Sequence, residues 1–237
     1  MVYAGILAGG YGWNQRKEDM PRQYMELGTK PIMLHSLEQF IVHAAVDKIV
    51  IAAPGNWLVY TEDLVSKYIR TEKEIHIIEG GSNKYQTIIR IAKFINERWG
   101  IQENDICIYH DAIRPFVTQR IIGDNLEKIT RCQAVSTVVP TVDTVIRLEE
   151  GNKVVEIPPK RELYAEQTPQ TFRLKTLLKA HDSLEDEQEK AMVNAFRAFL
   201  QRGYEIQVVE GEPSNIKIVT QYDFEVANLL IRDKAHD

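Results

Sequence analysis

The sequence predicts an α/β fold, a mostly parallel sheet with helices on both faces, and three observations lead to it. Short apolar runs recur at intervals of about 25 to 30 residues, and the stretches between them carry helical periodicity. Strand-like alternation without an intervening helix over 140–166 adds a projecting arm.

"VYAGILAG" is an apolar run that ends in glycines, and "KIVIAAP", "EIHIIEGG" and "DICIYHDA" share its form. All four read as buried strands. Between them, "PIMLHSLEQFIVHA" begins with Pro31 at an apt first-turn position, and "NKYQTIIRIAKFINERW" sets Ile88, Ile91, Ala92 and Ile95 on one helical face. A further helix from Gln119 leads to the strand "AVSTVVP". "TVDTVIRLEEGNKVVEIPPKRELY" then alternates around the turn signal "EEGNK", which makes an antiparallel hairpin. Such a hairpin buries itself poorly and needs a partner. Helices are expected over 173–182 and 184–202, then strands at "EIQVVEG" and "NIKIVT", and a last helix at "QYDFEVANLLIRD".

The 237 residues suffice for one domain over 1–237, with 140–166 as its arm. A net charge of -5 disfavours nonspecific nucleic-acid binding, and hydrophobic content of 44% suits a globular core. Cys107 and Cys132 lack C-x-x-C spacing and sit beside apolar residues, so both are read as reduced and buried. No apolar run reaches the ~20 residues of a membrane span, and the N-terminal run is needed as a strand. A cytoplasmic protein without a membrane span is the expectation.

Open parallel sheets bind ligands at the carboxyl ends of their strands, and the candidate site residues gather there. Gly9, Gly10 and Gly12 let backbone N–H groups approach phosphate oxygens, with Arg16, Lys17 and Arg22 as nearby cations. Gly80 and Gly81 form a second turn that serves either as a structural corner or as a contact for a flat base edge. Asp111, at a strand end, suits a divalent ion held with substrate phosphates or a helix cap. Arg114 adds a planar fork suited to phosphate. Lys217 alternates with Ile216 and Ile218, so its ammonium reaches the opposite side.

Taken in order, "AGILAGGYG", "MPRQY", "HDAIRPF", "VDTV", "LYAEQTPQTF" and "SNIKIVT" resemble the cytidylyltransferases that make CDP-alditols from CTP and a sugar-alcohol phosphate. "YAGILAGG", "GNWL" and "LYAEQTPQTF" are more similar to the ribitol 5-phosphate branch than to the methylerythritol 4-phosphate branch. The resemblance implies a Rossmann-like three-layer α/β/α nucleotidyltransferase domain and a homodimer whose arms complete each other's sites. It implies that Ala8, Gly9, Gly10, Gly80, Gly81 and Thr87 border CTP and that Asp111 holds Mg²⁺. Arg114, Thr144, the partner's Lys160 and Thr168 would surround the alditol phosphate, while Lys217 would stabilise charge on the reacting α-phosphate.

The sequence also departs from the family pattern. Asn14 stands where the glycine loop usually has Arg, and Arg22 stands where it has Lys, with Arg16 able to serve in the vacancy. Asn83 and Lys84 replace an acid and an Arg, and Val193 and Asn194 replace Thr-Asp. Two readings follow. One is an active CTP-dependent enzyme with Arg16, Arg22 and Lys217 as its catalytic cations. The other is a catalytically impaired paralogue that binds nucleotide or a partner. A nucleotide-sugar enzyme using UTP or GTP would match the glycine loop alone, but not "QTPQTF" followed by "NIKIVT".

Overall fold

A computed structural model describes residues 1–10 and 20–234. In chain order its strands are β1 (Val2–Leu7), β2 (Glu26–Leu27), β3 (Lys30–Pro31), β4 (Lys48–Ala53), β5 (Glu74–Glu79) and β6 (Ile106–Asp111). They continue with β7 (Ala134–Pro140), β8 (Arg147–Glu149), β9 (Lys153–Glu156), β10 (Tyr164–Arg173) and β11 (Ile206–Glu210). The helices are α1 (Ile32–Val42), α2 (Leu58–Tyr68), α3 (Lys84–Trp99), α4 (Gln119–Lys128), α5 (Leu174–Asp182), α6 (Asp186–Ala191), α7 (Ala195–Gln201) and α8 (Gln221–Lys234).

Seven strands form the central sheet in the order β11-β7-β10-β6-β1-β4-β5. All neighbours are parallel except β10, which runs antiparallel to both β6 and β7. Alternation along each strand splits the core into two layers. Tyr3, Cys107, Tyr109 and Phe172 pack with residues of α3, α5 and α7. Ala4, Ile6, Ile49, Ile51 and Ile108 pack on the other face with residues of α1, α2 and α4. This is the expected α/β/α arrangement.

Three elements differ from the sequence reading. The segment "LYAEQTPQTF" supplies β10, a ten-residue interior strand that its polar residues and Pro169 do not announce. A register shift between Glu166 and Gln170 accommodates the proline, which has no N–H to donate to a ladder. The helix expected over 184–202 is two helices, α6 and α7, separated at 192–194. There the carbonyl of Met192 accepts from Asn83 Nδ2 at 3.3 Å, and Asn194 caps α7 through Phe196 N–H at 2.9 Å. Finally, "NIKIVT" is an irregular run, not a strand, joined to its surroundings by Ile218 N–H on the Ile113 carbonyl at 2.9 Å.

Strands β8 and β9 pair only with each other, around a turn at Gly151 (φ 83) and Asn152 (φ 62). The base of the arm closes where Thr141 N–H donates to the Leu163 carbonyl at 3.2 Å, so 164–166 already belong to the central sheet. Val142 and Ile157 are exposed on the arm, Val142 by 84%, and Tyr164 is exposed where β10 begins. Among the described residues, no helix is long and apolar enough to cross a membrane.

Candidate active site

The carboxyl ends of β1, β4, β5 and β6 open into a cavity of about 890 Å³. Ala8, Gly9 and Gly10 of one turn and Gly80, Gly81 and Thr87 of another line it, together with Arg22, Lys84, Asp111 and Lys217. Each turn continues a strand ladder before breaking away. Ala8 N–H donates to the Ala52 carbonyl and Gly80 N–H to the Ala53 carbonyl, both at 2.8 Å.

Side chains then fix the turns. Gln23, only 3% exposed, donates through Nε2 to the carbonyls of Ala8 at 2.6 Å and Gly10 at 3.2 Å. That bond fastens Arg22 beside the first glycine turn. In the second turn the Thr87 hydroxyl accepts from Gly81 N–H at 3.0 Å and donates to the Asn83 carbonyl at 2.8 Å. Asn83 caps α3 by accepting from Gln86 N–H at 2.8 Å. Arg90 Nη1 donates to the Gly80 carbonyl at 2.7 Å from the rim.

Asp111 is the electrostatic centre. Its Oδ2 lies 3.2 Å from Lys217 Nζ and 3.3 Å from Arg114 Nε, and its Oδ1 lies 3.7 Å from Lys84 Nζ. Burial opposes the charge on this carboxylate, but Lys84, Lys217 and Arg114 outweigh burial and hold it well below the usual carboxylate range. It is ionised throughout the physiological range.

Behind it runs a closed chain of hydrogen bonds. Asp111 N–H donates to the Thr168 hydroxyl at 3.1 Å, that hydroxyl bonds His110 Nδ1 at 3.0 Å, and His110 Nε2 lies 3.0 Å from the Arg114 carbonyl. The carbonyl can only accept, so Nε2 carries the proton and Nδ1 accepts from Thr168. Burial pushes the His110 imidazole down to about 4, and it stays neutral.

Lys217 sits on an irregular segment stitched down on both sides. Asn215 is fully buried; its Nδ2 donates to the Thr168 carbonyl at 2.8 Å and to Gln167 Oε1 at 3.2 Å. Its own carbonyl accepts from Arg114 Nη1 at 2.8 Å. Arg114 therefore joins Asp111 to the Lys217 segment and is not part of the cavity wall.

The structure thus brings Ala8, Gly9, Gly10, Arg22, Gly80, Gly81, Thr87, Asp111 and Lys217 to one cavity. Arg114 and the wholly buried Thr168 stand directly behind Asp111. Thr144 and Lys160 lie on the arm, where Lys160 Nζ bonds the Val142 carbonyl, and neither lines the cavity. Arg16 and Asn14 lie outside the described residues. The sequence reading did not assign Lys84, Gln23 or His110 to the site. The position of Lys84 in the first turn after a Gly-Gly corner was the available signal for it; the other two act through tertiary contacts.

No group of three or more His, Cys, Asp or Glu side chains that could hold a metal ion occurs among the described residues. The donor set does not suit a metal caged by protein alone. It suits a hard divalent ion held by one carboxylate together with substrate phosphates.

Two glycine turns facing a carboxylate ringed by cations define a nucleotide-binding transferase site, and comparison with known proteins gives its family. Residues 2–233 match the profile of IspD, 2-C-methyl-D-erythritol 4-phosphate cytidylyltransferase. The chain belongs to this family and is a CTP-dependent nucleotidyltransferase. It is 37% identical over 235 residues to a ribitol-5-phosphate cytidylyltransferase of Lactiplantibacillus plantarum, covering 99% of this chain and 100% of the relative. The crystal structure of the Francisella tularensis 2-C-methyl-D-erythritol 4-phosphate cytidylyltransferase superposes with a TM-score of 0.79 at 30% identity, over 96% of this chain and 98% of that one. The 4-diphosphocytidyl-2C-methyl-D-erythritol synthase of Anaerococcus prevotii shares the fold, with a TM-score of 0.79 at 21% identity and 98% coverage of both chains.

Proposed function

We propose that this protein transfers CMP from CTP to D-ribitol 5-phosphate, giving CDP-ribitol and diphosphate. The observation that carries nucleotidyl transfer is the placement of Lys217 and Lys84 on the two oxygens of Asp111, in the cavity that the glycine turns line. The full-length similarity to a ribitol-5-phosphate cytidylyltransferase supports the choice of acceptor over methylerythritol 4-phosphate.

In this reading Ala8, Gly9, Gly10, Gly80, Gly81 and Thr87 border CTP. A phosphate oxygen of the alditol phosphate attacks the α-phosphorus in line, the new P–O bond forms, and the bond to the bridging oxygen breaks to release diphosphate. Negative charge grows on the α-phosphate oxygens, and Lys217 and Arg22 stand in the cavity to stabilise it. Asp111 would hold the Mg²⁺, which supplies further charge neutralisation on the phosphates. Arg114 and Thr168 orient Asp111 from behind, within reach of the region assigned to the alditol phosphate.

The arm supports a homodimer. Its exposed Val142 and Ile157 call for a covering surface, and Thr144 and Lys160, which do not line the cavity of their own chain, would reach a site by crossing to a partner protomer. We read 1–237 as one domain with 140–166 as the dimerisation arm, working in the cytoplasm.

Incubation with CTP, Mg²⁺ and a panel of alditol phosphates, followed by ³¹P NMR, tests the reading. A CDP-alditol diphosphate signal with D-ribitol 5-phosphate supports it. The same signal with methylerythritol 4-phosphate alone would reassign the acceptor, and none with any acceptor would identify an impaired paralogue.

A further inference from the structure

Lys84 stands on Asp111 in the proposed site but has been given no step of its own. Its backbone is rigid: Asn83 caps the helix it begins, and the Thr87 hydroxyl ties the Gly81 amide to the Asn83 carbonyl. Its side chain is a third exposed, lines the cavity and ends 3.7 Å from Asp111 Oδ1. That separation is an ion pair without a hydrogen bond, the kind of contact a long lysine stem exchanges readily. Arg114, by contrast, is anchored by the Asn215 carbonyl.

Among the described residues, three cations stand within 4 Å of the carboxylate of Asp111, so this group of four side chains carries a net positive charge. Lysines stand at both of its oxygens. A free divalent cation meets repulsion here, whereas a triphosphate meets attraction. Resting on the nucleotidyltransferase reading above, we propose that Lys84 is a triphosphate-binding residue which rests on Asp111 until CTP arrives, so that the nucleotide and the divalent ion bind as one coupled unit. When phosphate oxygens enter, the Lys84 ammonium transfers to them and uncovers Oδ1. Coupling of this kind is reciprocal: whatever factor CTP adds to metal affinity, the metal adds to CTP affinity.

The test uses Mn²⁺ as the probe, followed by electron paramagnetic resonance on the full chain, with and without a CTP analogue that has a methylene bridge between the α and β phosphates. Wild type should bind Mn²⁺ about tenfold or more tightly when the analogue is present, beyond binding to the analogue alone, within the roughly 5- to 150-fold span usual for coupled sites. Lys84→Met should tighten Mn²⁺ binding to the nucleotide-free protein several-fold and weaken the analogue measured in EDTA, while Lys84→Arg keeps the wild-type coupling. Equal Mn²⁺ affinity with and without the analogue in wild type overturns the proposal, and that measurement needs no variant to fold. A Lys84→Met protein that folds and titrates like wild type overturns it as well. If either result came from a protein that makes CDP-alditol, the role of Lys84 would fail while the function stood; no analogue binding by wild type would remove both.

Discussion

Gly9 and Gly80 meet backbone to backbone: a methyl group built on Gly80 would lie 2.9 Å from Gly9 Cα, and one built on Gly9 would lie 3.2 Å from Gly80 Cα. The two glycine turns thus support each other. Gly80→Ala forces one turn off the other, since the atom it strikes is main chain. We expect a loss of ~1 to 3 kcal/mol of stability, as for overpacked cores, together with loss of CTP binding. Chemical denaturation and nucleotide titration of the variant check both; retention of both would show that the turns can separate without consequence.

His110 sets an acid limit on stability. Its folded value, about 4, lies below its ordinary 6.5, so the unfolded chain binds more protons between those values. The stabilisation from a neutral His110 is complete above pH 6.5 and is lost as pH falls toward 4, by about 3 kcal/mol. Asp111 adds nothing in that window, because its folded value is depressed and its contribution is lost only at lower pH. His110→Gln should flatten the fall in Tm between pH 7 and pH 4.5 relative to wild type. Parallel curves for the two proteins would refute the assignment.

The departures at Asn83 and Asn194 have a local physical reason. Both side chains accept a capping N–H, as Asp would, but both also donate: Asn83 to the Met192 carbonyl and Asn194 to Glu166 Oε2 at 3.1 Å. An Asp at 194 would face Glu166. Asn194→Asp is expected to destabilise by about 0.5 to 1 kcal/mol, modest because Glu166 is exposed, and Glu166→Gln should remove the penalty. A double-mutant cycle by thermal melting decides it. Additive effects would mean that the two side chains do not interact.

Much of this was legible in the sequence, for reasons that differ by element. Strands β1, β4 and β6 are apolar because both faces of an interior strand are covered, whereas β5, read from its sequence as buried, is the half-buried edge strand of the sheet; α3 shows its buried face through Ile88, Ile91, Ala92 and Ile95. Strand β10 was hidden because its pairing depends on β6 and β7 and on a bulge around Pro169, not on its own residues. The alternation of Ile216, Lys217 and Ile218 was read correctly for side-chain direction, with the isoleucines in the core and Lys217 on the cavity, but wrongly as a strand, since the segment joins no sheet. Arg114 looked like a phosphate fork; the fold directs its Nε and Nη1 to Asp111 and Asn215.

The arm gives a prediction about assembly. Replacing 142–162 with a short Gly-Ser linker removes Val142, Ile157 and Lys160 but leaves the central sheet whole. Sedimentation should show the full chain as a dimer at micromolar concentration and the shortened chain as a monomer without activity. A monomeric full chain would rule out Lys160 from a partner.

The central claim is that Asp111 and its lysines form the centre of nucleotidyl transfer, and Lys217 tests it most directly. The measurement is the single-turnover rate of CDP-ribitol formation from radiolabelled CTP, wild type against Lys217→Gln. An interaction that strengthens in the transition state governs rate more than ground-state binding, so the variant should be slower by ~10² to 10³ with CTP affinity changed far less. A Lys217→Gln protein that forms CDP-ribitol as fast as wild type would contradict the account.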